Sequence, residues 1–236
     1  MMRTGLIFSA AAVAVMAGAS WWMGQNIPAD VAQLPVHWGA DGRPDRFLPR
    51  DEALATYWFL PGLAVVMAII FAILPSIDPL KGNIERSARA YLTAWIGVMA
   101  MFALVSVGIA MMTTQAAAGS TGSNQFVRWI MAGVGVLFIF LGDAMPKTRP
   151  NFFVGVRTPW TLTSDLAWQK THRLAGWLFV LVGFWAIVAA FMLNGIALAF
   201  AVTGPILVVT ALCAIYSWFV WKSDPDKRQS IRNGAH

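Results

Sequence analysis

A histidine within reach of several hydroxyls is the first arrangement in this 236-residue chain that could do chemistry. His172 follows Thr158, Thr161, Thr163 and Ser164 in the stretch PKTRPNFFVGVRTPWTLTSDLAWQKTHR, positions 146 to 173. Imidazole beside a hydroxyl can act as a general base on a nucleophile, and Asp165 or Asp143 would be the acid that orients the ring. No nucleophile-elbow glycine pattern accompanies these residues, so a membrane-embedded enzyme is a secondary reading and no catalytic residue is assigned. The same stretch carries Arg157, whose planar guanidinium can clamp a carboxylate such as Asp143 or stack on Trp160. A second grouping, His37 with Asp41 and Asp45, offers one imidazole and two carboxylates. Without a further His or Cys nearby it is too thin for a metal site, and no metal or other cofactor is expected. Cys213, the one cysteine, lies in an apolar run and reads as a small packing residue.

The elements that must position these side chains are membrane helices. Hydrophobic residues make up 58% of the chain and charged residues 12%, far from a soluble average. Apolar runs fall at about 5–24, 57–75, 91–113, 126–143, 174–193 and 196–221, each long enough to cross roughly 30 Å of hydrocarbon as helix. Their continuity, without the alternation of barrel strands, predicts an all-α integral membrane bundle of six transmembrane helices. The first run has some features of a cleaved signal, Arg3 before it and Ala17-Gly18-Ala19 near its end. Ala10, Ala14 and Gly18 nevertheless fall four apart on one face, a small-residue stripe suited to packing in lipid, so the run is read as a retained anchor.

Charge sets the expected orientation. With the N-terminus inside, thirteen Lys and Arg fall on the cytoplasmic side and four outside, namely Arg43, Arg46, Arg50 and Arg128, which places both termini in the cytoplasm. Trp21, Trp22, Tyr57, Trp58 and Trp129 then lie at the outer headgroup belt and Tyr91, Trp95, Trp218 and Trp221 at the inner one. The net charge of +6 gathers on inner loops, where anionic lipid attracts it, so membrane lipid is an expected partner and nucleic acid is not required. No Asp, Glu, Lys, Arg or His lies mid-span, which disfavours a small-molecule or lipid-related transporter, although Pro61 and Pro205 are candidate helix breaks.

Two loops carry most of the remaining information. In the inner loop, Pro146 ends the fourth helix and Pro150 and Pro159 hold the chain extended. Gly155 permits a positive φ or a close approach. Thr163 or Ser164 can cap a new helix with Asp165 in its first turn, and Trp168 and His172 share one face of it. The outer stretch LPVHWGADGRPDRFLPRDE begins extended, turns at Ala40-Asp41-Gly42, and offers Asp51 or a neighbour as cap of a short helix. QAAAGSTGSN reads as a flexible linker, and the Asn194-Gly195 turn makes the last two helices antiparallel neighbours.

The stretch MPKTRPNFFVGVRTPWTLTSDLAWQKTHRLAGWLF resembles the signature of the SdpI family of membrane immunity proteins, P-K-x-x-P-N-x-x-x-G-[IV]-R-T-P-W-T-L followed by W-x-K-T-H-R-x-x-G. The segment LPVHWGADGRPDRF is similar to the P-x-H-W-x-x-x-G-x-x-D pattern of the domain of unknown function that often precedes it. The resemblance divides the chain into 1–75, with two spans and the outer loop, and 76–236, with four spans and the signature loop. It implies a bacterial plasma-membrane protein that protects against an extracellular membrane-active peptide toxin and signals by holding a cytoplasmic repressor. It places Lys147, Pro150, Asn151, Gly155, Arg157, Thr158, Pro159, Trp160, Trp168, Thr171, His172 and Arg173 at signature positions. His37, Trp38, Gly42 and Asp45 stand at the outer ones. One departure is GDAM before Pro146, where Asp143 replaces an amide and is expected to pair with Arg149 or Arg157.

Overall fold

Six helices in the computed structural model are long and apolar enough to cross a membrane. Residues 1–39, 42–79, 81–120 and 125–226 are described. In chain order they form α1 (Met2–Asn26), β1 (Gln33–Trp38), β2 (Pro44–Pro49), α2 (Arg50–Thr56), α3 (Phe59–Ile77), α4 (Lys81–Arg86), α5 (Ala88–Ala117) and α6 (Gln125–Ala144). A 3-10 turn (Met145–Lys147), α7 (Pro159–Leu162), α8 (Asp165–Met192) and α9 (Gly195–Ser223) follow. The expected spans are present, several of them longer than their apolar runs, and the fold is an all-α membrane bundle with one added hairpin. Pro205 lies inside α9, which continues to Ser223, and Pro61 falls in the first turn of α3, where a missing N–H breaks no helical bond. Neither proline interrupts its span.

The chain divides into two compact units: Met1–Ala72, Trp95–Val134 and Ala186–Ala201 form the first, and Ile73–Ala94, Gly135–Trp185 and Val202–His236 the second. In the first unit, β1 and β2 pair antiparallel with Leu34 opposite Leu48 and Pro35 opposite Phe47. Gly42, at φ +74°, is the described member of the expected turn; Ala40 and Asp41 lie outside the described residues. Leu34 is buried with Met23, Ile27, Ala53, Tyr57 and Ala110, so the hairpin is packed down onto the helices. Tyr57 fastens it, donating its hydroxyl proton to the Pro35 carbonyl and accepting from Thr113 Oγ1 at 3.0 Å. Arg50 donates to the Pro28 and Ile27 carbonyls just beyond α1, at 2.8 and 3.2 Å. α2 begins after Pro49 with no side-chain cap, and Asp51 sits in its first turn, not at its cap.

Several expected lipid-facing and belt positions are corrected. Trp21, Trp22, Trp58 and Trp129 are exposed, as boundary rings should be, but Tyr57, Tyr91 and Trp95 are buried. Trp95 stacks on Phe71 with centroids 5.5 Å apart and donates to Ser9 Oγ at 2.9 Å. Gly5 makes room for that indole, since a Cβ there would lie 2.5 Å from Trp95 Cε3. The packed face of α1 is therefore Gly5, Ser9, Met16, Ser20 and Met23, and the expected stripe of Ala10, Ala14 and Gly18 is exposed. The linker expected over 115–124 is helical as far as Ala117, and its residues 121–124 lie outside the described residues.

In the second unit, glycines set the approach of α6 to α8. A Cβ on Gly142 would lie 2.7 Å from the Gly176 carbonyl, and one on Gly183 would lie 2.5 Å from the Gly135 carbonyl. Backbone meets backbone at both levels, the close packing that small residues permit in lipid.

Candidate functional site

The signature loop, 148–158, lacks regular secondary structure, yet many of its backbone groups are bonded to side chains. Asn151 is fully buried and makes four of these bonds. Its Nδ2 donates to the Arg149 and Val154 carbonyls at 2.8 and 3.2 Å, and its Oδ1 accepts from the Phe153 and Val154 amides at 2.9 and 2.7 Å. An asparagine satisfies donors and acceptors at once, which no apolar or acidic residue of that size can do. Asp78 accepts from the Phe152 amide at 3.2 Å, Ser87 Oγ from the Arg149 amide at 2.8 Å, and Asn83 donates to the Pro150 carbonyl at 2.8 Å.

Where the loop returns to helix, Thr158 caps α7 in a capping box with Thr161, and Pro159 occupies its first turn. Of the two expected caps for α8, Ser164 is the one used: its Oγ accepts from the Ala167 amide at 3.0 Å and donates to buried Asp224, just past α9. Thr163 instead bonds back to the Pro159 carbonyl at 2.7 Å.

His172 closes the loop over α8. Its ring stacks on Trp168 with centroids 4.0 Å apart at 18°, and both side chains are buried. His172 Nε2 accepts from the Val156 amide at 3.0 Å, and Nδ1, which must then carry the proton, donates to the Trp168 carbonyl at 2.8 Å. Trp168 Nε1 donates to Thr148 at 3.1–3.2 Å. The approach requires Gly155: its φ is +120°, and a Cβ would sit 2.1 Å from His172 Nε2.

This geometry decides what the site can do. Both imidazole nitrogens are held by backbone groups, and Thr158, Thr161, Thr163 and Ser164 bond elsewhere, so no histidine–hydroxyl pair forms. The expected partners of Asp143 are corrected too. It pairs with Arg89 at 2.9 Å and with Lys147 at 3.0 Å, an i,i+4 contact along the chain, not with Arg149 or Arg157. Arg157 donates Nη1 to the Phe152 carbonyl and is otherwise exposed, clamping backbone rather than a carboxylate. Trp160 is half-buried beside a shallow apolar groove with Ala214, Ile215 and Trp218.

Comparison with known proteins places this region. Residues 147–221 match the sequence model of the SdpI/YfhL protein family. Over that segment the chain is similar to the SdpI/YfhL family. A 59-residue stretch is 37% identical to "Immunity protein SdpI" of Bacillus subtilis (strain 168), covering 25% of this chain and 28% of the relative's length. No solved structure matches. The SdpI segment contains every inner signature position except Asp143, which lies just before it.

Within the SdpI segment the residues separate by exposure. Asn151, Trp168, Thr171 and His172 are buried and hold the fold, the Thr171 hydroxyl without a partner among the described residues. Lys147, Phe152, Arg157 and Arg173 are exposed. The residues that anchor the loop from outside the signature, Asp78, Asn83, Ser87, Ser217 and Asp224, were not singled out in the sequence. The available signal was an acid three residues past the end of an apolar run, at Asp78 and Asp224; both are buried.

The outer candidates belong to the first unit. His37 Nδ1 lies 2.6 Å from Asp45 Oδ1, with both side chains exposed. Trp38 pairs with Pro44 at the end of the hairpin ladder, and Asp41 lies outside the described residues.

Proposed function

We propose that this chain is a bacterial plasma-membrane immunity protein that protects its cell from a membrane-active peptide toxin. The observation that carries the reading is the match of 147–221 to a family with a named immunity protein, over a loop in which most signature side chains serve one built structure. In this reading the chain divides near residue 76 and both termini are cytoplasmic. The buried signature residues hold the loop, and its exposed face, Arg149, Phe152 and Arg157, is the surface that meets a partner. A cationic and aromatic surface of this kind suits an acidic patch on a cytoplasmic protein such as a repressor. The outer His37-Trp38 hairpin is the surface that senses toxin.

Catalysis is the weaker reading because the candidate base is bonded to backbone on both sides. Arg157→Lys tests the proposal, since it keeps the charge and removes the planar fork. Cells carrying the variant at parental membrane levels should lose protection against the peptide toxin. Full protection by both Arg157→Lys and Phe152→Ala would remove the loop face from the mechanism.

A further inference from the structure

The first unit holds a half-open cavity of about 260 Å³ between α1, α3, α5 and the hairpin. Its wall is mostly apolar, with Met23, Leu60, Val105 and Ile109 below and Val36 as a roof. An apolar cavity of about 150 Å³ already holds benzene, so this one is large enough for a stretch of hydrocarbon. Four hydroxyl residues also line it, but three are already bonded within the protein. Ser20 donates to the Tyr57 carbonyl at 3.2 Å, Thr56 to the Glu52 carbonyl at 2.9 Å, and the Tyr57 hydroxyl lies between Pro35 and Thr113. Only buried Ser106 remains.

That bonding selects the occupant. A peptide segment entering the cavity would bring amide and carbonyl groups that each need a partner away from water. The wall has almost none to offer. A hydrocarbon chain needs none, and gains contact with every apolar wall atom. The cavity is walled by helices of three candidate membrane spans, and exposed Phe59 lines it at the start of α3. We infer that this cavity is a binding site for one acyl chain of a membrane phospholipid, inserted between α1, α3 and α5 beneath the hairpin. The site is independent of the immunity reading. It makes the seating of the hairpin dependent on lipid, because Val36 and Tyr57 belong both to the hairpin's support and to the cavity wall.

The test uses the full chain in maltoside micelles titrated with a phosphatidylglycerol analogue that carries a diazirine on one acyl chain. After irradiation, labelled positions are mapped by mass spectrometry. Labelling at Met23, Leu60 and Ile109 should saturate and be competed by unlabelled phosphatidylglycerol, whereas labelling at exposed Leu207 on α9 should rise linearly. Two variants that fill the cavity from different walls, Ser106→Phe and Val105→Trp, should each abolish the saturable labelling and leave Leu207 unchanged. Cavity labelling that is linear, or that survives in both folded variants, overturns the site. Competition by an amphipathic toxin-like peptide but not by unlabelled lipid overturns the assignment to an acyl chain.

Discussion

Gly155 and His172 should behave as one unit, and the structure sets how strongly. His172→Ala removes two hydrogen bonds to backbone, each about 1 kcal/mol net, and a stacking contact of about 1 kcal/mol, for a total near 3 kcal/mol. Gly155→Ala has two separate costs. A side chain at φ +120° is strained by about 2 kcal/mol, and the new Cβ, 2.1 Å from Nε2, overpacks the site by about 2 kcal/mol more. Removing the imidazole relieves the second cost but not the first. The double variant should therefore lose about 5 kcal/mol rather than the additive 7, a coupling of about 2 kcal/mol. Hydrogen exchange at the Phe153 and Val154 amides reads this, because their acceptor, Asn151 Oδ1, is present in all four proteins, and each 1.4 kcal/mol of local opening is about tenfold in rate. Coupling below about 0.5 kcal/mol would refute the reasoning and mean that the imidazole does not fill the space above Gly155.

Other expectations follow from single contacts. Tyr57→Phe removes the donor to the Pro35 carbonyl and should cost about 1–3 kcal/mol, with faster exchange across 33–38 and little change in the second unit. Asp143→Asn breaks two exposed ion pairs and should leave the thermal midpoint in detergent unchanged, because solvent and salt already screen them; a clear drop would give the pair a structural role. For the proposed orientation, in a Cys213→Ser background, an impermeant thiol reagent on intact cells should modify a cysteine at Ser120 and spare one at Asp165. The opposite pattern would invert it.

Much of the signature loop was legible because its chemistry is local. Proline positions, a cap at Thr163 or Ser164, the glycine at positive φ and the shared face of Trp168 and His172 all follow from spacing of a few residues. The faces of the spans were not legible in the same way. Lipid is as apolar as a protein core, so hydrophobicity does not mark which side of α1 is packed, and the packed side is instead carried by Gly5, Ser9 and Ser20. Trp95 was misplaced for the same reason: an indole near a helix end suits a headgroup belt, but it suits equally a pocket with a serine partner and a glycine opposite. Arg89 as partner of Asp143 was missed because the two are 54 residues apart, and only the fold brings them together. In the outer stretch the extended pieces and their turn were readable, but the burial of Leu34 depends on α1, α2 and α5 arriving beneath it.

The crossing of α6 and α8 works as a gauge block. Where one peptide group rests against another, as at Gly142 and Gly176, the distance between the two helices is set largely by the main chain, with Val180 and Pro146 packed beside it. Trp177, Leu181 and Phe184 on α8 are exposed and can drift among apolar types without shifting that spacing. The first turns of α8, which carry Trp168 and His172, start about three turns before Gly176 and inherit its placement. Substitutions among apolar types on that greasy surface should thus leave the shape of the loop unchanged.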